Sequence, residues 1–150
     1  MTGTQKKKII GTLLICGNLA FIWGNSLMTG AESGNLSGGV LAWLNSFLSL
    51  GEDGAEMLHL LIRKAAHFTE FACLGALLAW RFGMEHHKGI HLAVFSLFGG
   101  LLAACTDETI QIFVDGRGSS LLDVWTDAFG AMTGIIVLLL GHHLIVKKHS

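Results

Sequence analysis

The chain has little charge, no proline and no tyrosine: 14% of its 150 residues are charged, whereas 51% are hydrophobic. So little polar surface excludes an ordinary soluble domain, and we interpret residues 1–150 as a single integral membrane domain. Basic residues occur in small scattered groups and the formal net charge is −1, which excludes a nucleic-acid-binding surface. The three cysteines lie within apolar runs, where we expect them to pack in the interior, and their odd number excludes a disulfide framework.

Four apolar segments approach the roughly 20 residues that a helix needs to cross the hydrocarbon core of a bilayer. They cover residues 9–27, 65–82, 90–113 and 124–146. These segments predict an all-α bundle of four transmembrane helices. A signal peptide is the alternative for the first segment, because lysines precede it, but its apolar run is long for that role.

A shorter apolar segment lies between the first two predicted spans. Large apolar residues recur there at helical spacing, namely Leu36, Val40, Leu41, Leu44, Phe47 and Leu48. The segment is too short to cross a bilayer, so we predict a short interfacial or re-entrant amphipathic helix. A lid that packs on the bundle and binds no ligand is the alternative.

The lysines and arginines predict the orientation of this bundle. With four spans, three basic groups fall on one side: Lys6, Lys7 and Lys8; Arg81 and Lys88; Lys147 and Lys148. Loops with an excess of lysine and arginine face the cytoplasm. We therefore predict a multi-pass protein with both termini in the cytoplasm.

Polar residues concentrate at the predicted outer ends of three spans, at spacings that place them on one face of each helix. They are Arg63, His67 and Glu70; Glu108, Gln111 and Asp115; and Asp123 and Asp127. An unpaired carboxylate facing lipid would cost up to a few kcal/mol, so Glu70 must face inwards, with Arg63 as its candidate partner. The pattern predicts one polar site at the extracytoplasmic end, and a purely structural polar plug is the alternative.

Two stretches resemble the VanZ-like family: RKAAHFTEFACLGALL at residues 63–78 and DETIQIFVDGRGSSLLDVWTDAFGAMTG at residues 107–134. The family pattern is Lys-x-x-His-Phe-x-Glu-Tyr in one helix, followed by Asp-Glu-x-x-Gln, a Gly-Arg turn and Asp-Val. Phe71 stands where tyrosine is usual, and Asp127 stands where asparagine is frequent. The resemblance implies a protein of the bacterial cell membrane that is implicated in glycopeptide resistance, chiefly to teicoplanin.

The polar pattern and the resemblance together give the predicted site residues. We predict catalytic roles for His67, Glu70, Glu108, Asp123 and Asp127. We predict substrate-binding roles for Arg63, Lys64, Asp107, Gln111 and Arg117.

Two classes of function stay open. In the first, an intramembrane enzyme acts on a lipid or lipid-linked envelope component, with His67 or Glu70 as base, Glu108 as acid and Arg117 holding a phosphate. The chain has no tyrosine and no Gly-x-Ser-x-Gly motif. The remaining candidate nucleophiles are serines whose segment must fold over the cavity, namely Ser26, Ser33 and Ser37.

In the second class, the protein binds, sequesters or flips a lipid or lipopeptide, and the same residues serve as ligands and proton relay. Four spans are few for a transporter, so this hypothesis favours a homo-oligomer. A divalent cation is a third possibility, with three to five ligands from His67, Glu70, Glu108, Asp123 and Asp127. Because basic residues lie near enough to neutralise those carboxylates directly, we expect no metal and no other cofactor.

Overall fold

Five α-helices make up the part of the chain that the computed structural model describes, residues 1–85 and 89–148. They are α1 (Gly3–Ser26), α2 (Gly30–Leu48), α3 (Glu52–Gly83), α4 (Gly89–Ile112) and α5 (Leu121–Lys148). No strand occurs in these two ranges. The predicted all-α class is therefore confirmed for the described chain.

Three of the described helices are long and apolar enough to cross a membrane: α1, α4 and the part Leu121–Leu144 of α5. The second predicted span, residues 65–82, lies within α3, which is not among them. Helix α3 falls short because His67, Glu70 and Arg81 interrupt its apolar part. Three of the four predicted spans are therefore confirmed, whereas the second, residues 65–82, is not.

Helix α3 is the centre of the bundle and packs against all four other helices, most extensively against α5. Glycines bring these two helices close together. A Cβ atom on Gly75 would lie 2.1 Å from the carbonyl oxygen of Ala131, and one on Gly134 would lie 1.8 Å from that of Ala72. Small residues allow membrane helices to approach this closely. Because α3 is surrounded by other helices, its polar side chains contact protein.

The apolar core lies between α1, α3 and α4, where Ile22, Phe71, Leu74 and Ala104 are fully buried. Many large apolar side chains instead face outwards, as expected of a membrane interaction surface. The three cysteines are also exposed, so the prediction that they pack in the interior was wrong. The apolar runs that contain them present one face to the core and another to the outside.

Helix α2 begins with a capping box. The hydroxyl of Thr29 accepts a hydrogen bond from the backbone N–H of Glu32, and the Glu32 carboxylate accepts one from the N–H of Thr29. This cap precedes the first apolar residue of the predicted segment, Leu36. The helix therefore begins earlier than predicted and has 19 residues. It contains no buried residue and packs on α3, where Ser37 Oγ lies 2.5 Å from His59 Nε2.

Ion pairs mark one end of the bundle. Lys8 Nζ and Arg81 Nη1 each lie 2.8 Å from a carboxylate oxygen of Glu85. The start of α1 and the end of α3 therefore share this end, in agreement with the grouping of basic residues from the sequence. Hydrogen bonds from Lys8 and Arg81 lower the pKa of Glu85 to about 2. Lys88 lies outside the described residues.

Candidate functional site

Polar side chains from four helices meet at the end of the bundle opposite Glu85. Helices α1 and α4 end there, α5 begins there, and the charged half of α3 passes between them. A hydrogen bond from Ser26, the last residue of α1, to Asp107 of α4 joins two of these helices directly. The alternating directions of the helices thus bring together residues that are far apart in the sequence.

Asp107 is the buried centre of this region. Its Oδ1 accepts a hydrogen bond from Ser26 Oγ at 2.6 Å, and its Oδ2 accepts one from Gln111 Nε2 at 2.9 Å. Gln111 also donates to Glu108 Oε1 at 3.3 Å. These bonds fix the Asp107 carboxylate and orient it towards α3 and α5.

Asp127 lies beside Asp107 and is fully buried, yet neither of its carboxylate oxygens has a hydrogen-bond partner in the described chain. His67 Nδ1 lies 3.8 Å from Asp127 Oδ1 and 3.8 Å from Asp107 Oδ2. We call His67, Asp107 and Asp127 the inner cluster. A buried polar group without a partner costs roughly 1–3 kcal/mol, and more if it is charged, so this carboxylate requires a proton or a cation.

A cavity of about 250 Å³ lies against the inner cluster, and we call it the outer cavity. Its lining residues are Leu60, Arg63, Lys64, His67, Glu108, Gln111, Gly116, Gly118 and Asp123. Lys64 and Asp123 form an ion pair in its wall. Glu108 Oε2 accepts the backbone N–H of Ser120 at 2.9 Å, which holds this carboxylate in the wall as well.

Glu70 is bound by an amide and not by the predicted arginine. Its Oε1 accepts a hydrogen bond from Asn25 Nδ2 at 3.0 Å, while its Oε2 is buried and has no partner among the described residues. The expected pair between Glu70 and Arg63 is therefore not formed. Asn25 takes that place because the end of α1 lies against this part of α3.

Arg117 caps the C-terminal end of α1. Its Nε donates to the carbonyl oxygen of Met28 at 3.0 Å, and its Nη2 donates to that of Asn25 at 2.5 Å. Carbonyl groups at a helix C-terminus carry partial negative charge, so a guanidinium stabilises them. Burial lowers the pKa of Arg117, but arginine remains charged in proteins.

Arg63 lies beside this hydrogen-bond network but takes no part in it. It is half-buried and forms no hydrogen bond or ion pair with any residue in the ranges 1–85 and 89–148. Its side chain lines the outer cavity and also a second cavity of about 410 Å³ between α1, α2 and α3, which we call the side cavity. His67, Glu70 and Arg117 line the side cavity too.

An apolar groove of about 530 Å³ on the outside of the bundle adjoins the side cavity. The two share the lining residues Phe21, Ile62, Ala66 and Glu70. The remaining groove residues include Cys73 and belong to α1 and α3. An apolar path thus leads along these helices from the outer surface to the polar end.

All ten predicted site residues lie at this end of the bundle, in the contacts or the cavity linings described above. Their catalytic and binding roles remain predictions. Sequence reasoning missed Asn25 as the partner of Glu70, and it considered Ser26 only as a nucleophile, although its hydroxyl is buried and bonded to Asp107. The sequence did contain a sign that both residues belong to the site, because Asn25 and Ser26 are adjacent polar residues at the end of an apolar span.

Comparison with known proteins gives one match. The sequence model of the VanZ/LLP1 family covers residues 11–142, a range that contains every residue of the site. No curated protein and no solved structure matches the chain.

Proposed function

The chain belongs to the VanZ/LLP1 family, and from this premise we propose that it acts on an anionic lipid or lipid-linked component of the bacterial cell envelope. VanZ-like proteins are linked to glycopeptide resistance. Teicoplanin carries a lipid tail, so a change in an envelope lipid at the outer leaflet would alter the surface on which that drug docks. The polar end of the bundle is the proposed site of action.

Arg63 is the observation that carries this proposal. Its guanidinium forms no hydrogen bond or ion pair with the residues that the structure describes, so its donors are free to bind an anionic group in the two cavities that it lines. Arginine presents a planar fork of donors that matches phosphate and carboxylate groups. Arg63 lines both the outer cavity and the side cavity, so an anionic head group in either cavity lies within its reach.

The apolar groove supports a lipid as the carrier of that head group. Acyl or polyprenyl chains bind apolar surface, and the groove between α1 and α3 runs along such surface to Glu70. Its shared lining with the side cavity allows a tail to lie in the groove while the head group contacts Arg63 and Arg117. A lipid therefore enters from the membrane and not from the aqueous phase.

Two carboxylates are placed to move protons next to such a head group. Glu70 faces the side cavity with one oxygen unpartnered within the described chain, and Glu108 faces the outer cavity, held by Gln111 and Ser120. A fixed carboxylate in a partly desolvated cavity suits general acid or base catalysis. We assign Glu70 the role of base and Glu108 that of acid.

We also propose that α3 crosses the membrane as a fourth span. Its polar residues contact protein neighbours on α1, α4 and α5, and this compensates for the low hydropathy of the segment. The basic residues Lys8 and Arg81 lie at the end opposite the site. By the positive-inside rule that end is cytoplasmic, so the site faces the outside and both termini face the cytoplasm.

Cells that express the wild-type protein or Arg63→Gln test the proposal. Arg81→Gln, at the opposite end of the bundle, is the matched control. We expect Arg63→Gln to abolish teicoplanin resistance and any protein-dependent change in the membrane lipids measured by mass spectrometry, while Arg81→Gln retains both. If Arg63→Gln reaches the membrane in normal amount and still confers full resistance, the proposed site is wrong.

Non-enzymatic binding or flipping of the lipid is the second candidate. It is favoured by the position of Ser26, whose hydroxyl is buried and bonded to Asp107, so this candidate nucleophile is not free to react. The same lipid analysis separates the two candidates. A protein-dependent covalent lipid species supports the enzyme, whereas resistance with unchanged lipid composition supports binding, for which a homo-oligomer is the expected form.

A further inference from the structure

We propose that the inner cluster binds a divalent cation through His67, Asp107 and Asp127. One ligand atom from each of these three residues can be chosen so that all three lie within 4.8 Å of one another. Ligand atoms of a tetrahedral site with bonds of about 2.1 Å are about 3.4 Å apart. The two distances of 3.8 Å from His67 Nδ1 to the carboxylates are close to that value, so small side-chain rotations complete the site.

The unpartnered carboxylate of Asp127 is the independent sign of a ligand. This side chain is fully buried, and neither of its oxygens has a hydrogen-bond partner in the described chain. Asp107, in contrast, receives hydrogen bonds from Ser26 and Gln111. Partners of this kind orient metal ligands in known sites. The Asp107 carboxylate is therefore already oriented as a ligand, and the proposed ion would be the missing partner of the Asp127 carboxylate.

The formal charge of the region supports the same conclusion. Five carboxylates belong to the inner cluster or line the outer and side cavities, namely Glu70, Asp107, Glu108, Asp123 and Asp127, together with three basic side chains, Arg63, Lys64 and Arg117. With His67 neutral, five negative and three positive charges leave a formal charge of −2. One divalent cation balances the formal charge of these eight side chains, and the alternative is the uptake of two protons.

The donor set indicates the class of ion. One imidazole and two carboxylates suit Zn²⁺ or Mn²⁺ better than the all-oxygen shells that Ca²⁺ and Mg²⁺ prefer. Three protein ligands leave a coordination position open, as in catalytic sites. His67 also lines the outer cavity beside Arg63, so an anionic oxygen of a bound head group can reach that position.

The proposal rests on the proposed function only for the identity of this oxygen. The cation site itself stands on the geometry of the three side chains. It replaces the expectation, drawn from the sequence, that the nearby basic residues neutralise the carboxylates. In the structure Lys64 pairs with Asp123 and Arg117 caps α1, so neither is bonded to Asp127.

Electron paramagnetic resonance of Mn²⁺ tests this site in the full chain, purified in detergent with a tag that contains no histidine. After chelator treatment and dialysis, the loss of the free Mn²⁺ signal gives the number of bound ions and their affinity. We expect about one strongly bound Mn²⁺ per chain, and pulsed measurements should detect one imidazole nitrogen beside the ion. Competition with Zn²⁺ then ranks the two candidate metals.

Asp127→Asn is the decisive variant because it keeps the shape of the side chain and removes its charge. We expect it to weaken Mn²⁺ binding at least about tenfold, since even changes in residues that only orient the ligands cost 10- to 100-fold. His67→Gln is the second variant and must remove the nitrogen signal. The double variant His142→Ala/His143→Ala, at the far end of α5, controls for adventitious binding and must retain the tight site.

Equal Mn²⁺ affinity in wild type and Asp127→Asn means an adventitious ion only and overturns the proposal. Absence of tight binding to the wild type overturns it as well and leaves protonation as the solution to the charge. If Asp127→Asn does not elute as a folded protein, His67→Gln decides on the same criteria. Arg63→Gln separates this inference from the proposed function, because it should impair lipid binding and leave the Mn²⁺ site intact.

Discussion

The close approach of α3 and α5 makes Gly134→Ala a sharp test of the fold. A Cβ atom at this position would lie 1.8 Å from the carbonyl oxygen of Ala72, whereas real Cβ contacts are essentially never shorter than 3.0 Å. The obstacle is backbone and not a flexible side chain. The two helices must therefore separate by more than about 1 Å before alanine fits.

The expected magnitude follows from two opposing terms. Overpacking a well-packed contact typically costs about 1–3 kcal/mol, and a clash with backbone belongs at the upper end of that range. Alanine in a helix is more favourable than glycine by about 1 kcal/mol. We expect a net loss of about 2 kcal/mol, which corresponds to a fall in melting temperature of roughly 4–8 °C for a chain of this size.

Thermal unfolding of the detergent-solubilised protein, followed by tryptophan fluorescence, measures this change. Gly141→Ala is the matched control on the same helix, because a Cβ atom there meets nothing within 4 Å, and its melting temperature should equal or exceed that of the wild type. Gly134→Ala should also disturb the inner cluster, since Asp127 lies on the same helix. If both variants melt alike, α3 and α5 do not pack as described.

Two further predictions concern topology and pH. In a cysteine-free background, Ser119→Cys should react with a membrane-impermeant maleimide in intact cells, whereas Lys7→Cys should not; the opposite labelling would reverse the proposed orientation. Because hydrogen bonds from Lys8 and Arg81 lower the folded-state pKa of Glu85 to about 2, its contribution to stability is present above its unfolded pKa and disappears as the pH falls towards 2. The small difference in melting temperature between wild type and Glu85→Gln should therefore stay constant from neutral pH to about pH 6 and shrink below the unfolded pKa of about 4.3. A difference that grows on acidification would contradict the ion pairs of Glu85 with Lys8 and Arg81.

Hydropathy predicted α1, α4 and α5 well because those helices are apolar along most of their length. It gave only the second half of α3, whose first residues, from Glu52 onwards, are too charged to register as part of a span. The start of α2 was missed for a different reason. The capping box of Thr29 and Glu32 was readable in the sequence, but the prediction rested on apolar residues, which begin only at Leu36.

The candidate site was predicted as a region but not as a network. Spacing along each helix placed polar residues on common faces, which is why Asp127 was expected at the same end as His67, whereas Asp107 was included only through the resemblance to the VanZ-like family. Spacing within a helix says nothing about the rotation of one helix relative to another. That rotation determines which side chains form hydrogen bonds with each other. The pair of Glu70 with Asn25, and the isolation of Arg63, therefore required the tertiary structure.

We propose above all that Arg63 binds an anionic head group at the polar end of the bundle. The direct measurement is equilibrium binding of spin-labelled phosphatidylglycerol and phosphatidylcholine to the purified protein, compared among wild type, Arg63→Gln and Arg81→Gln. A charge-assisted hydrogen bond contributes about 1.5–3 kcal/mol, so the wild type should prefer the anionic lipid by about tenfold or more.

We predict that Arg63→Gln loses this preference and that Arg81→Gln, which removes an arginine from the opposite end, keeps it. Both variants must elute as folded protein for the comparison to hold. Equal preference in all three proteins, or no preference in the wild type, would mean that Arg63 does not bind the anionic head group.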